Sequence, residues 1–191
     1  MPVPPFVGGV LPQGRYQCTQ DEIEAFFVND PSFVASISRP AIWQHWETGL
    51  ELLTSAVTVH SAWIGGSFVT AKLTPRDIDV LFIVSEEDRA KRGVEDRQVI
   101  ESFMNRVRDP LTGHLKPAHG LLVDSYVINW SPHNPAPDGK RTPLHFAYAA
   151  ERGYWDDWWS RKRVTSKKKP SVREDALPKR GFLEVILNDY V

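Results

Sequence analysis

Trp63-Ile64-Gly65-Gly66-Ser67-Phe68-Val69-Thr70-Ala71-Lys72-Leu73-Thr74-Pro75-Arg76-Asp77-Ile78-Asp79-Val80 is the stretch that decides how this chain folds. Ahead of the glycines, Ala56 to Ile64 is rich in β-branched and aromatic residues and stops abruptly, the profile of a strand entering a tight turn. After the turn, Ile78 to Val84 is apolar apart from Asp79 and predicts a second strand, with nine residues between Ser67 and Asp77. Alternate strand residues point to one face, so this spacing projects Asp77 and Asp79 together from one end of a sheet. Two carboxylates that close repel unless they share a proton or a hard divalent cation. Magnesium suits such oxygen ligands, and two ions about 4 Å apart can stabilise both the attacking and the leaving oxygen of an in-line phosphoryl displacement.

The turn supplies the other half of a site. Gly66 lacks a Cβ and lets its backbone approach a bulky anion, while free amides opening a short helix near Ser67 would point at negative charge. A triphosphate is the natural guest. Ser67 adds a hydroxyl donor, and Lys72 or Arg76 can neutralise phosphate charge.

A Gly-Ser turn after one strand, a spacer of this length and Asp-x-Asp on the next strand resemble the signature of the DNA polymerase β-like nucleotidyltransferase superfamily. The likeness covers residues 57 to 84 and extends more loosely to 130. It implies a palm-like fold with a mixed central sheet flanked by helices, and a third carboxylate on a later strand. Asp124 stands in the apolar run Leu121 to Ile128, where an acid needs a partner, and matches that position. By resemblance, Asp77 and Asp79 bind both magnesium ions, while Asp124 binds the catalytic ion and helps deprotonate an acceptor hydroxyl. The chain also looks like an uncharacterised bacterial and phage group of this superfamily. That likeness rests on Leu11-Pro12-Gln13-Gly14 before Thr19-x-x-Glu22, Gly66-Ser67-Phe68-Val69-Thr70 with Lys72 and Pro75, Arg152-Gly153-Tyr154-Trp155, and Gly181-Phe182-Leu183-Glu184-Val185.

Working outward, residues 1 to 18 are rich in proline and glycine and read as an irregular arm. Thr19-Gln20-Asp21-Glu22 has capping-box spacing and opens a short helix to about Phe27. Trp43, Trp46, Leu50 and Leu53 recur at helical spacing and predict an amphipathic helix from Pro40 to Thr54. Val99, Ile100, Phe103 and Val107 stay in phase within a charged stretch, predicting a helix between Glu86 and Val107. Gly120 to Trp130 reads as a third strand, a proline-rich loop follows Ser131, and a helical segment spans His145 to Ser160. Gly181 to Leu187 fits a final strand or a closing helix equally well. With no repeat and no linker, 1–191 reads as one domain of α/β (α+β) class.

The 24 acidic and 23 basic residues nearly cancel, so an electrostatic partner has to be met by a local patch. Arg161 to Arg173 is one, with seven basic and no acidic residues; it reads as a mobile, solvated loop that either solubilises the chain or tracks the phosphates of an RNA or DNA acceptor. Trp155, Trp158 and Trp159 share a helical face and read as packing against the sheet, with base stacking as the functional alternative. His60 reads as a core or rim residue, and His114, His119, His133 and His145 lack metal-ligand spacing. Cys18 is the sole cysteine, which excludes a disulfide framework. No apolar run approaches a membrane span and no secretion signal is legible, which points to a cytoplasmic protein.

These readings converge on a magnesium-dependent nucleotidyltransferase that moves a nucleoside monophosphate from an NTP to a hydroxyl of RNA, protein or a small molecule, releasing pyrophosphate. The alternative is a non-catalytic nucleotide- or nucleic-acid-binding module of a defence or toxin–antitoxin system. Few residues follow the third strand, so the acceptor surface would come from a partner protein or a second subunit.

Overall fold

The capping box forms as its spacing requires: the Thr19 hydroxyl accepts from the Glu22 N–H at 3.1 Å, and the Glu22 carboxylate accepts from the Thr19 N–H at 2.8 Å. The computed structural model describes residues 3–110, 113–131, 142–165, 169–188 and 190. Its elements run β1 (Arg15–Gln17), α1 (Gln20–Phe27), α2 (Ser38–Ala56), β2 (Val59–Gly65), β3 (Ile78–Ser85), α3 (Glu86–Lys91), α4 (Val94–Met104), β4 (Arg106–Arg108), β5 (Leu115–Pro117), β6 (Val123–Trp130), α5 (Pro143–Ser160) and β7 (Phe182–Ile186). Five strands form one mixed sheet in the order β1-β7-β2-β3-β6, and β4 and β5 pair as a separate hairpin. The β1/β7 and β3/β6 pairs are parallel; β7/β2 and β2/β3 are antiparallel.

Alternation along the central strands splits the sheet into two apolar faces. Ala62, Ile64, Val80, Phe82, Val84, Leu183 and Val185 join Trp46, Leu50 and Leu53 of α2 and Ile100 and Phe103 of α4 in the larger core. Trp46 stacks on Phe82 with ring centroids 5.8 Å apart and 4° between planes, so the helical spacing of the tryptophans is answered by the strand spacing of β3. On the other face Trp63, Leu81, Ile83, Ile128 and Phe182 pack against Trp159 of α5. Helices therefore cover both sides of the sheet. No helix among the described residues is long and apolar enough to cross a membrane.

Several sequence expectations are corrected here. The helix expected from Glu86 to Val107 is two helices. Arg92 turns extended after α3, Gly93 caps α4, and Val107 lies on β4 with its side chain largely outside the core. Ile100 and Phe103 stayed in phase because they share α4; Val107 continued the period only by chance. The strand expected from Ala56 begins at Val59 because α2 runs through Ala56, and the strand expected from Gly120 begins at Val123 because Gly120 takes a left-handed turn conformation. The N-terminal arm is not wholly irregular: β1 adds a parallel edge strand to β7, Val10 bridges to Thr70, and Leu11 is fully buried. Gly181 to Leu187 resolves as the strand β7, seated between β1 and β2.

The basic run is anchored rather than free at its described ends. The Asp175 carboxylate accepts from the N–H groups of Val164 (2.7 Å), Thr165 (3.2 Å) and Val172 (3.0 Å) and from the Thr165 hydroxyl (2.8 Å). These donors, the Val172 amide first, hold Asp175 well below the usual carboxylate range. The proline-rich loop expected after Ser131, with His133, falls on residues 132–141 and lies outside the described residues.

Candidate active site at the glycine corner

β2 ends at Gly65, and Gly66 turns the chain with φ of +71°, a conformation that side chains bearing a Cβ rarely adopt. A Cβ there would overlap the carboxylate of Asp79, so the corner backbone is pressed against the second residue of β3. Residues 66–69 form a turn and not the short helix expected at Ser67. The turn is fastened by the Thr70 hydroxyl, which donates to the Ser67 carbonyl at 2.8 Å. Lys72 and Arg76 are exposed beyond it.

The rest of the loop hangs on Arg39, a fully buried residue of α2. Its guanidinium donates to the carbonyls of Phe27 (3.0 Å), Phe68 (2.8 Å), Thr70 (2.7 Å) and Lys72 (2.8 Å) and lies 3.8 Å from the ring centroid of Phe33. Burial pulls its pKa down to about 10, which still leaves it charged at neutral pH. One side chain thus holds three carbonyls of the segment between the glycine corner and the aspartates. Arg39 was missed in the sequence, although a signal existed: it stands at i, i+4, i+7 with Trp43 and Trp46, an arginine in phase with a buried stripe.

Asp79 and Asp124 face each other in register across the parallel pair β3/β6, on strands about 4.8 Å apart. Both are half-buried. Asp77 sits one residue before β3, outside the pleat, so strand alternation does not by itself align it with Asp79. Among the described residues no group of three or more His, Cys, Asp or Glu side chains could hold a metal ion.

Arg106 on β4 reaches Asp124. It forms an ion pair with Asp124, donates to the Ser125 carbonyl at 2.8 Å, and lies 4.6 Å from the ring centroid of Tyr126. Burial and then the negative charge of Asp124 push the Tyr126 hydroxyl up to about 12, and burial followed by the charge of Arg106 pulls His119 down to about 4. A second arginine, Arg180, closes the other side. It donates to the carbonyls of Trp159 (3.0 Å) and Gly66 (3.3 Å); burial lowers its pKa, and the charge of Asp79 opposes that shift. Neither arginine carried a sequence signal, since one lay in a stretch read as helix and the other in a loop before an ambiguous segment.

Of the remaining candidates, Trp155 packs on Tyr126 and Trp159 covers Gly65, so both serve packing, whereas Trp158 faces solvent. His60 is a buried residue against Trp130 and Tyr190. Cys18 is buried and its thiol is pushed up to about 11, chiefly by desolvation, which leaves it unreactive at neutral pH. A cleft of about 390 Å³ lined by Glu86, Arg89, Arg97, Glu101 and Asn129 opens at the far end of β3 and β6, away from Asp79 and Asp124.

Gly66→Ala tests how tightly the corner is built. The left-handed backbone and the overlap with Asp79 should together cost about 2–4 kcal/mol, lowering the midpoint of thermal unfolding by roughly 5–15 °C. A variant melting within a degree of the parent would show that the corner is loose.

Sheet and corner together define an α/β protein in which a glycine turn after β2 lies against acids from two adjacent parallel strands. The chain belongs to a family described only as a family of unknown function (DUF6932), whose model matches residues 4–186. No curated protein and no solved structure matches it.

Proposed function

We propose that this protein is a magnesium-dependent nucleotidyltransferase of the DNA polymerase β-like superfamily, working at the glycine corner. The observation that carries the reading is the contact of Gly66 with Asp79, which itself stands in register with Asp124. Asp77, Asp79 and Asp124 would hold the metal, which supplies neutralisation of the charge developing on the α-phosphate and the leaving oxygen. Gly66 and Ser67 receive the triphosphate, and Arg39 keeps their loop in one shape, so little reorganisation is needed when substrate binds. In the transfer, the acceptor oxygen forms a bond to the α-phosphorus while the bond from that phosphorus to the oxygen bridging the β-phosphorus breaks. Pyrophosphate leaves with that electron pair, and Asp124 takes the hydroxyl proton. The protein's task is alignment and electrostatics more than covalent chemistry.

The test is incubation with each α-labelled NTP, magnesium and a fractionated lysate. Label moving to an acceptor together with pyrophosphate release is the expected result; no labelled product with any NTP would overturn the reading.

The Arg106–Asp124 pair favours a second reading. A carboxylate already neutralised by a guanidinium needs no cation, as in a module that binds a nucleotide without turning it over. Arg106→Ala separates the two. If Arg106 only keeps the place of a cation, its removal should tighten manganese binding, followed by electron paramagnetic resonance, by about 10-fold, the worth of one partly buried ion pair. Unchanged manganese affinity would favour the non-catalytic reading.

A further inference from the structure

We propose that the cleft between α3 and α4 binds a small zwitterion of the free α-amino acid class. The cleft measures about 390 Å³, within the ordinary range for small-molecule sites, and is lined by Glu86, Arg89, Ala90, Arg97, Glu101 and Asn129. It opens where β3 and β6 end side by side, with Val84 paired to Asn129 and Ser85 to Trp130. Crevices outside the carboxyl ends of parallel strands are where open α/β sheets take ligands. The chain makes room here because α3 starts directly on β3, Arg92 turns extended, and α4 sets off again after Gly93. Ile100 and Phe103 of α4 then face the core, which leaves Arg97 and Glu101 outside.

The charges of the cleft are not spent on one another. Glu86 and Arg89 stand three residues apart on α3, and Arg97 and Glu101 four apart on α4, spacings that pair readily on a helix. The same α3 shows such pairing, Glu87 with Lys91 at 2.6 Å and Asp88 with Arg92 at 2.7 Å. Yet among the described residues no ion pair joins Arg89 or Arg97 to Glu86, Glu101 or any other acid. Neutral groups hold the two guanidiniums instead. Arg89 donates to the Asn129 side-chain oxygen at 2.9 Å and lies 3.3 Å from the Met104 sulfur, and Arg97 donates to the Ala90 carbonyl at 3.2 Å. These contacts fix each arginine and leave further N–H donors for a ligand.

A guest has to answer both signs. A nucleotide or a dicarboxylate would meet the arginines but set its anions beside Glu86 and Glu101, and a polyamine would reverse the mismatch. An apolar molecule finds only Ala90. A molecule with one carboxylate and one ammonium fits: the carboxylate takes a guanidinium fork, and the ammonium takes the glutamates. The site is separate from the glycine corner, because Asp79 and Ser85 stand at opposite ends of β3, about 20 Å apart along the strand.

Binding is measured on the full chain in EDTA without nucleotide, so the outcome is independent of the transfer reaction proposed above. Each common α-amino acid is screened by its effect on melting temperature, and the best is titrated by calorimetry. Its N-acetyl and carboxamide derivatives, glutarate and putrescine are the other arms. Saturable binding of at least one free amino acid with a Kd of about 1 mM or below is expected. Each blocked derivative should bind about 10-fold or more weakly, because one charge-assisted contact is gone. Arg97→Gln and Glu101→Gln should each cost about 10-fold as well; both positions are exposed, so the unliganded melting temperature should stay within about 2 °C. Neither loss should add to the matching block: Arg97→Gln costs the carboxamide little further affinity, and Glu101→Gln costs the N-acetyl derivative little, since the partner charge is already missing. No binding by any amino acid, equal binding of the blocked derivatives, tighter binding of glutarate or putrescine, or full affinity in both variants would each overturn the proposal.

Discussion

Asp79→Asn is expected to reduce nucleotidyl transfer by about 10³-fold or more while leaving the fold in place. Asparagine keeps the shape that Gly66 packs against, so the corner stays filled. What disappears is the negative charge facing Asp124 across β3/β6, on which any divalent ion at this point would depend. Loss of one pre-oriented electrostatic contact to a transition state already costs 10²–10³-fold, and a shared metal ligand should cost at least as much. Circular dichroism and the melting curve control for folding, with a modest loss of stability allowed because Arg180 also feels the Asp79 charge. Transfer at a rate within tenfold of the parent would remove the glycine corner from the reaction.

Arg39→Met should be the most destabilising single substitution at the site, by about 3–5 kcal/mol, or roughly 6–20 °C in melting temperature. Methionine replaces most of the volume and none of the hydrogen bonds. The carbonyls of Phe27, Phe68, Thr70 and Lys72 would lose their shared donor, and at least the Phe27 and Phe68 oxygens would do so in a buried setting. Because three of those carbonyls belong to the loop after Gly66, transfer should fall even below the unfolding temperature, whereas Arg39→Lys, with one compact donor group, should recover stability only in part. Unchanged melting in Arg39→Met would mean that the loop is held by its turn alone.

The legible features have a common origin. The Thr19–Glu22 capping box, the stripe of Trp43, Trp46, Leu50 and Leu53, and the strand at Ile78 are all set by neighbours within a few residues, and each appears as its spacing requires. Asp79 and Asp124 were likewise visible as acids interrupting apolar strands, and β3/β6 pairing puts them opposite one another. Cations were harder to see. Arg106 reaches Asp124 only because α4 ends at Met104 and β4 pairs with β5. Arg180 reaches Gly66 only because Gly181 to Leu187 becomes an interior strand.

By itself the chain's order of residues determined the local periods, the glycine corner and which acids interrupt apolar strands, because these follow from side-chain chemistry and short-range backbone sterics. Tertiary structure alone decided that β7 lies between β1 and β2, that Arg39 gathers four carbonyls, and that Asp124 meets the guanidinium of Arg106. Those outcomes depend on pairings between residues far apart in sequence, where burial forces each charge and each carbonyl to find a partner from whatever the fold brings near.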